Sequence, residues 1–539
     1  MARPALGRAG AAAGARGAGL GISGARGRAR ALRRGAVTGE AGEAGQEEVI
    51  RFLSDPATHG GAAVERVDTH ISRLFLAGDR AWKLKRAIRA NYLDFSTLDR
   101  RERSCRREIA VNRAAGDLYL GVVPVTREAE GLALGGPGAP VEWLVAMRRF
   151  DRSLELDRLC DAGRLTLPMV ERLADEVAAL HRAAPPAPGF GDIGDLRARI
   201  DQIAGALAGA GPGWRDAAGE WRGAARAALE PLAGLVARRR WLGRTRRCHG
   251  DLHLGNVVLL GERPVPFDAI EFDEAIASID LLYDLALTLA DLLTRGRRDL
   301  ANALLSRYLG ATRDHGGLPP LPLFLSMRGA VRAMAAASRG AAEEAERDLA
   351  FAARGLRQRA APRLVALGGV SGSGKSTLAR ALAPRLAPLA GAVVIRSDVT
   401  RKRMMGARPE DRLPPAAYGP EADRKVLARI AWDARAALRA GTAVVLDATF
   451  LDPEARACLA AHARAEGVPF DGIWLDLPAA EAAARVERRT ADASDATGEV
   501  VARQAARADP PAGWRVIAAG RPAGEVAAEA ARILGAREG

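Results

Sequence analysis

Residues 369–376 read GVSGSGKS, a match to G-x-x-x-x-G-K-[ST], and no other stretch of the chain restricts its fold so tightly. The run lies between the apolar segment LVALG and a helical pattern opening at Ser376. It therefore demands a strand, a glycine loop and a helix in that order. Such glycines let backbone N–H groups curl round a β-phosphate, and the helix N-terminus favours the anion. Gly369, Ser371, Gly372, Ser373, Gly374, Lys375, Ser376 and Thr377 are the candidate nucleotide-binding residues. Lys375 would reach the β- and γ-phosphates and the Ser376 hydroxyl would ligate Mg²⁺. A compact ammonium suits so tight a loop better than a guanidinium fork. Among 80 Lys and Arg residues only Lys83, Lys85, Lys375, Lys402 and Lys425 are lysine, so each of the five invites an explanation.

Beyond the loop, AVVIRSD, TAVVLDATF, FDGIWLDL and GWRVIAA alternate with helical stretches, a rhythm that predicts a parallel sheet with right-handed crossovers. Asp398 stands just past the end of AVVIRSD, at the face where ligands bind in such sheets. It is a candidate to accept a proton from an acceptor hydroxyl, with Arg401 beside it to bind the acceptor; a helix N-cap followed by a solvated basic turn is the plainer alternative. Asp447 and Thr449 close TAVVLDATF and suit the water shell of Mg²⁺. Arg485, Arg488 and Arg489 fall on neighbouring turns of AEAAARVERRTADASDAT, as mobile arginines that steady a transferring phosphoryl group do, although a surface helix would look the same.

Together GGVSGSGKST, RSDVTRK, VVLDATF and RVERRTADASDAT resemble the small P-loop kinases, the group of gluconate kinase, zeta-type toxins and the kinase half of polynucleotide kinase. The resemblance spans residues 363 to about 537. It implies an AAA-type ATP-binding domain with ATP as donor, a hydroxyl as acceptor, Asp398 as base, and Arg485 and Arg489 in a lid.

A second, unrelated signature precedes it. Residues 249–256 read HGDLHLGN, the H-x-D-x-x-x-x-N spacing of kinase catalytic loops. Transfer to a hydroxyl needs a carboxylate that orients the nucleophile and an amide oxygen on Mg²⁺; Asp251 and Asn256 supply them. The hairpin VVLL, GER, PVPFD brings the chain back to Asp268, placed to hold the same metal. A zinc site on His249 and His253 is the competing reading, but it wants a fourth ligand and a helix like HExxH, and this is a loop sequence.

Such a site also needs a lysine on an earlier strand and a glutamate on the following helix. ISRLFL (71–76), AGD (77–79) and RAWKLK (80–85) form a hairpin by alternation and turn chemistry. Lys83 and Lys85 project from one face of its second strand, and Glu108 lies on the helix expected over 99–115. Either lysine could clamp the α/β-phosphates, with Lys83 the preferred one.

These parts, with THISRLFL, LDFSTLDRR, YLGVVPV, WLVAMRRF, FDAIEF and DLLYDLA, resemble the aminoglycoside phosphotransferase and choline kinase group. More closely they resemble bacterial two-domain proteins that fuse such a domain to a P-loop kinase. The resemblance implies a two-lobed kinase-like fold with ATP between the lobes, WLVAMRRF near the hinge, and Asp284 bracing the catalytic loop. Departures are informative. The segment near Thr69 to Ser72 is not glycine-rich, and Asp268 is followed by Ala269 and Ile270, which argues against an activation-loop switch. No acidic cluster of the aminoglycoside-binding kind stands out, so that substrate does not carry over.

At 539 residues the chain is too long for one core. The expected division is a Gly/Ala/Arg-rich tail over 1–46, a kinase-like domain over 47–345, a linker over 346–362 and a P-loop domain over 363–539. Of the net charge of +15, +8 sits in residues 1–39 and +7 in the rest, so the folded part is only mildly basic. The four scattered cysteines and the absence of a long apolar run predict a cytoplasmic protein without a membrane span. The expected activity is ATP- and Mg²⁺-dependent phosphorylation of small-molecule hydroxyls at two separate sites, with the oligomeric state left open. Two other readings are a P-loop half acting on nucleic-acid or nucleotide-sugar ends, less favoured, and a nucleotide-gated regulator with one inactive domain.

Overall fold

The alternation in ISRLFL and RAWKLK becomes two adjacent strands of one antiparallel sheet. In the computed structural model, which describes residues 45–90, 93–358, 360–488 and 493–536, helix α1 (Glu47–Ser54) precedes β1 (Val64–Asp68), β2 (Ser72–Ala77) and β3 (Arg80–Lys85). Helix α2 (Leu98–Val111) then leads to β4 (Tyr119–Glu128), β5 (Gly131–Leu134) and β6 (Ala139–Arg148). The six strands order as β1-β2-β3-β6-β4-β5. The two-residue period sends Phe75 and Leu84 to the face covered by α1. It sends Leu76 and Ala81 to the opposite face, with Cys105 of α2. Thr97 caps α2 by accepting from Arg100 N, and the helix buries Arg101, Ser104, Cys105 and Glu108 on one stripe. Gln46, expected at the end of the tail, belongs to the fold: its Nε2 donates to Lys85 O at 2.9 Å and to Glu142 Oε2 at 2.7 Å.

The second lobe is helical, with α3 (Leu167–Ala183), three further helices (Ile193–Gly209, Arg215–Leu229, Ala233–Trp241) and the hairpin β7 (Val257–Leu260) and β8 (Arg263–Pro266). Then follow α4 (Leu281–Thr294), α5 (Arg298–Thr312), α6 (Leu321–Ser338) and α7 (Ala342–Arg357). Ser278–Asp280 is a short strand paired with Thr245–Arg247, and α4 starts at Leu281, where Asp280 caps it. The expected linker begins later than its sequence suggests. Residues 346–357 are helical and bury Leu349, Phe351, Ala352 and Leu356, because their apolar positions recur at helical spacing and pack on α6.

The P-loop domain holds β9 (Leu364–Gly368), α8 (Lys375–Leu386), β10 (Val393–Arg396), α9 (Ser397–Met404), α10 (Pro420–Arg439), β11 (Val444–Asp447), β12 (Phe470–Asp476), α11 (Ala479–Glu487) and β13 (Arg515–Ala518). Its sheet is wholly parallel, in the order β10-β11-β9-β12-β13.

The two domains share packing. One continuous apolar cluster runs from Leu300, Ala301, Leu304 and Leu305 of α5 to Val393 and Ile395 of β10. Since β10 is the sheet edge, α5 covers groups that would otherwise invite pairing. Asn302 Nδ2 donates to Ala390 O and Ala392 O at 2.7 Å each, and Val394 N donates to Ser306 Oγ at 3.1 Å. Arg307 bridges Asp175 of α3 and Glu410 at 2.6 and 2.8 Å, and Arg403 of α9 pairs with the same Asp175. Among the described residues no helix is long and apolar enough to cross a membrane. All four cysteines are free.

Two candidate active sites

In the first site the loop that follows His249 is held from below by one face of α4. Asp284, Thr288 and Asp291 lie one and two turns apart, so their side chains stack along the helix. Asp284 accepts from His249 N at 3.2 Å and Gly250 N at 2.9 Å; Thr288 Oγ1 donates to Leu252 O at 2.6 Å; Asp291 accepts from Leu254 N at 3.0 Å. His181 of α3 bonds Asp284 at 3.0 Å through Nε2 and Tyr308 OH at 2.8 Å through Nδ1. Burial pushes the Asp284 carboxyl up, and its bond to His181 with the charges of His181, His249 and Arg328 outweighs that and holds it below the usual range. The expected brace is therefore in contact with the loop backbone.

Burial lowers the proton affinity of His249. Nε2 donates to Phe267 O at 2.8 Å, and Nδ1 accepts from Asp251 N at 3.3 Å. Asn256 Nδ2 donates to Asp251 O at 2.9 Å and to Asp251 Oδ2 at 3.3 Å, which leaves its amide oxygen as the ligand atom. Burial raises the Asp251 carboxyl, but hydrogen bonding and charge from His253, 3.6 Å away, and the charges of His249 and Arg328 bring it down to about 2.

Opposite this loop stand the two lysines of β3, and Glu108 bonds both. Lys83 Nζ lies 2.9 Å from Glu108 Oε1 and 2.5 Å from Asp268 Oδ1. Lys85 Nζ lies 2.6 Å from Glu108 Oε2 and also pairs with Glu271. Lys83 thus faces the carboxylate expected on the metal, while Lys85 is fully buried behind it against the Phe95 ring. Asp268 has φ +61°, an uncommon conformation for a non-glycine residue. It is fixed by Tyr119 OH on its own N–H at 3.0 Å and by Asn112 Oδ1 on Ala269 N at 2.9 Å. With Asp251, the group of Lys83, Lys85, Glu108, Asp268 and Glu271 carries two positive and four negative charges. Together with hard oxygen donors on Asn256 and Asp268 this suits Mg²⁺. Glu271 was not singled out from sequence; its signal was only an acid three residues past Asp268.

In the second site the glycine loop follows β9 as expected, with its helix starting at Lys375. Gly369 and Gly372 have φ +132° and +88°, and a Cβ on either would meet Leu475 O at 2.6 Å or Ala482 O at 2.3 Å. Lys375 Nζ donates to Gly369 O at 2.9 Å and Val370 O at 2.7 Å. Ser371 N donates to Gln504 Oε1 at 2.7 Å, a contact no motif announced. Ser376 Oγ donates to Asp447 Oδ2 at 2.6 Å, so the hydroxyl and carboxylate expected on Mg²⁺ are brought together, again as hard oxygens. Arg396, also unforeseen, reaches both. Asp398 opens α9, its carboxyl raised by burial and by Asp447, against lowering from Arg396, Ser494 and Lys375.

Other basic residues of this domain make contacts inside it. Arg401 donates to Ala417 O at 3.0 Å and Asp423 at 2.5 Å and lies over the Tyr418 ring, so its guanidinium is committed within the domain. Lys402 is buried on Pro409 O and Asp495, both at 3.0 Å. Arg485 bonds Glu481 and Ala519 O, and Arg488 bonds Ala484 O. Arg489 and the tail over 1–44 lie outside the described residues. Thr449 O accepts from Gly369 N at 3.1 Å, tying β11 to the loop through backbone.

Comparison with known proteins agrees with this division. Residues 74–321 match the phosphotransferase enzyme family and residues 364–511 match an AAA domain. Uncharacterized protein Rv2004c of Mycobacterium tuberculosis is 31% identical in an alignment of 496 positions that covers 84% of this chain and 92% of that protein. An uncharacterized protein of Mycobacterium bovis matches to the same extent. Among solved structures, a choline/ethanolamine kinase family protein from Mesorhizobium loti is 17% identical, covering 57% of this chain and 99% of its own, with TM-score 0.33. A gluconokinase from Sinorhizobium meliloti is 22% identical, covering 33% and 94%, with TM-score 0.25.

Proposed function

From the premise that this chain belongs to the family of those mycobacterial proteins, a phosphotransferase-family domain followed by an AAA-type P-loop domain, we propose that it is a bifunctional ATP-dependent kinase. Each domain would move the γ-phosphoryl group to a hydroxyl of a small molecule. The observation that carries the reading is that each site holds one lysine and its own oxygen groups: Lys83 bonded to Asp268 in the first, and in the second Lys375 on the glycine-loop carbonyls with Ser376 bonded to Asp447.

In the first site Lys83, held by Glu108, would clamp the α/β-phosphates, and Lys85 would hold Glu108 in place from behind. Asp251, ionised throughout the neutral range, would orient the acceptor hydroxyl and take its proton as the oxygen attacks phosphorus. Asn256 and Asp268 would hold Mg²⁺, which when bound neutralises charge on the β/γ-oxygens. In the second site the loop N–H groups and Lys375 would take the phosphates, Ser376 and Asp447 would hold the metal, and Asp398 would accept the proton. Its raised carboxyl makes it the stronger base of the two. Arg485 and Arg489 would serve the same phosphates from a closing lid.

The nucleic-acid alternative draws on the basic run Arg401 to Arg403, and those three side chains are engaged inside the protein, with Asp423, Asp495 and Asp175. Labelled ATP and a metabolite extract, with wild type, Asp251→Asn and Asp398→Asn run side by side, test the proposal. Each variant should lose one distinct labelled product. Unchanged turnover and phenotype in both variants would instead favour a nucleotide-gated regulator.

A further inference from the structure

Arg396 ends β10, and its side chain crosses to the metal side of the glycine loop. Nε donates to Asp447 Oδ2 at 3.1 Å and Nη2 donates to Ser376 Oγ at 2.9 Å. Ser376 Oγ spends its own proton on that same Oδ2. A protein cation is therefore seated on both oxygens assigned to the metal, with the Arg396 and Asp447 side chains only 15% and 6% exposed. Its charge is also the strongest one lowering Asp398. On its other side Arg396 lines a cavity of about 180 Å³ between the domains, walled by Val399, Thr400 and Arg403 of α9 and by Leu300, Ala303 and Arg307 of α5.

We propose that Arg396 is a catalytic residue of the second site that works by exchange: Ser376 and Asp447 would hold the metal when it is bound, and Arg396, released from them, would contact the transferring phosphoryl group. This rests on the kinase reading of that site. A Mg²⁺ at the ~2.1 Å such a bond requires and the guanidinium on the same two groups would set two cations within a few ångström of each other, and their repulsion favours release of Arg396. Arginine does not give up its proton, so a guanidinium released from these two oxygens keeps its full charge for the phosphates bound beside the loop. A phosphoryl group offers planar, bidentate oxygens that match the fork. Arg396 stays protonated throughout. The bond from phosphorus to the donor oxygen breaks, a bond to the acceptor oxygen forms, and the acceptor's proton passes to Asp398.

The test uses full-length protein carrying Asp268→Asn, which removes the carboxylate proposed to hold the first site's metal, with Arg396 retained or changed to Met or Lys. Titration calorimetry with a non-hydrolysable ATP analogue at graded Mg²⁺ reads metal dependence without turnover, and ATP hydrolysis reads catalysis. Arg396→Met should lower the Mg²⁺ concentration for half-maximal binding about tenfold, since a buried competing cation is gone, while hydrolysis falls about 10³-fold. Arg396→Lys, whose single ammonium cannot bond both oxygens in the same way, should move both readouts in the same directions by less, and it serves if the Met variant does not fold. Nucleotide bound with an unchanged or higher Mg²⁺ requirement overturns the exchange alone. Nucleotide uptake that is absent, or unaffected by Lys375→Met, overturns the kinase reading and the exchange with it.

Discussion

Removing one carboxyl proton site from the first domain exposes how its charges are balanced. Glu108 is fully buried between Lys83 and Lys85, at 2.9 and 2.6 Å. Burial raises its carboxyl, yet the charges and hydrogen bonds of the two lysines take it from the ordinary 4.5 to about 2. At about 1.36 kcal/mol for each tenfold change in proton affinity, that fall corresponds to roughly 3 kcal/mol of stability, in line with the 3–5 kcal/mol lost when one partner of a buried ion pair is removed. The sign follows from the depressed value. The contribution is complete above pH 4.5, where the unfolded chain is ionised, and disappears as pH falls through about 2, where the folded chain takes up its proton. Glu108→Gln should therefore unfold at lower urea than wild type at pH 7, by about 3 kcal/mol, with the gap narrowing as pH drops below 4.5. The same variant should raise KM for ATP at the first site, because Lys83 would keep only Asp268. A Gln variant as stable as wild type, or a gap that does not change with pH, would refute the charge balance described here.

Three other outcomes are expected. Asp398→Asn should stabilise the protein at neutral pH while abolishing transfer at the second site: its carboxyl is raised by burial, so folding favours the protonated form, the penalty grows as pH rises through the ordinary carboxylate range, and thermal melts at pH 7 and pH 4 should show the gain only at the higher pH. Gly372→Ala puts a Cβ 2.3 Å from Ala482 O at φ +88°, so it should cost about 2 kcal/mol and remove nucleotide binding at the second site while the first site keeps its product, as calorimetry and the labelled-product assay would read. Asn302→Leu leaves the carbonyls of Ala390 and Ala392 without their shared donor, so urea unfolding should lose about 2 kcal/mol and split into two transitions as the domains uncouple.

Much of both sites was legible because the parts that define them are contiguous in the chain. GVSGSGKS needs only its own glycines, lysine and serine to make a phosphate cradle, and HGDLHLGN carries its carboxylate and amide five residues apart. Strand alternation placed Lys83 and Lys85 on one face, and the α/β rhythm after residue 363 announced a parallel sheet that the structure contains. Local pattern was less reliable at boundaries. Ser278–Asp280 became strand because Thr245–Arg247 lay open to pair with it, and the expected linker after residue 345 stayed helical because α6 offered an apolar surface.

Sequence alone determined the contiguous groups of each site, the glycine loop with Lys375 and Ser376 and the loop carrying Asp251 and Asn256, since backbone loops and residue types are local properties. Tertiary structure decided how those groups are employed. Alternation cannot tell Lys83 from Lys85; what separates them is that Asp268 and Glu271 arrive from 185 and 186 residues away to claim one each. In the same way Arg396 meets Asp447 across 51 residues, and His181 meets Asp284 across 103. Electrostatic partnership depends on distance in space, and only the packed chain sets that distance.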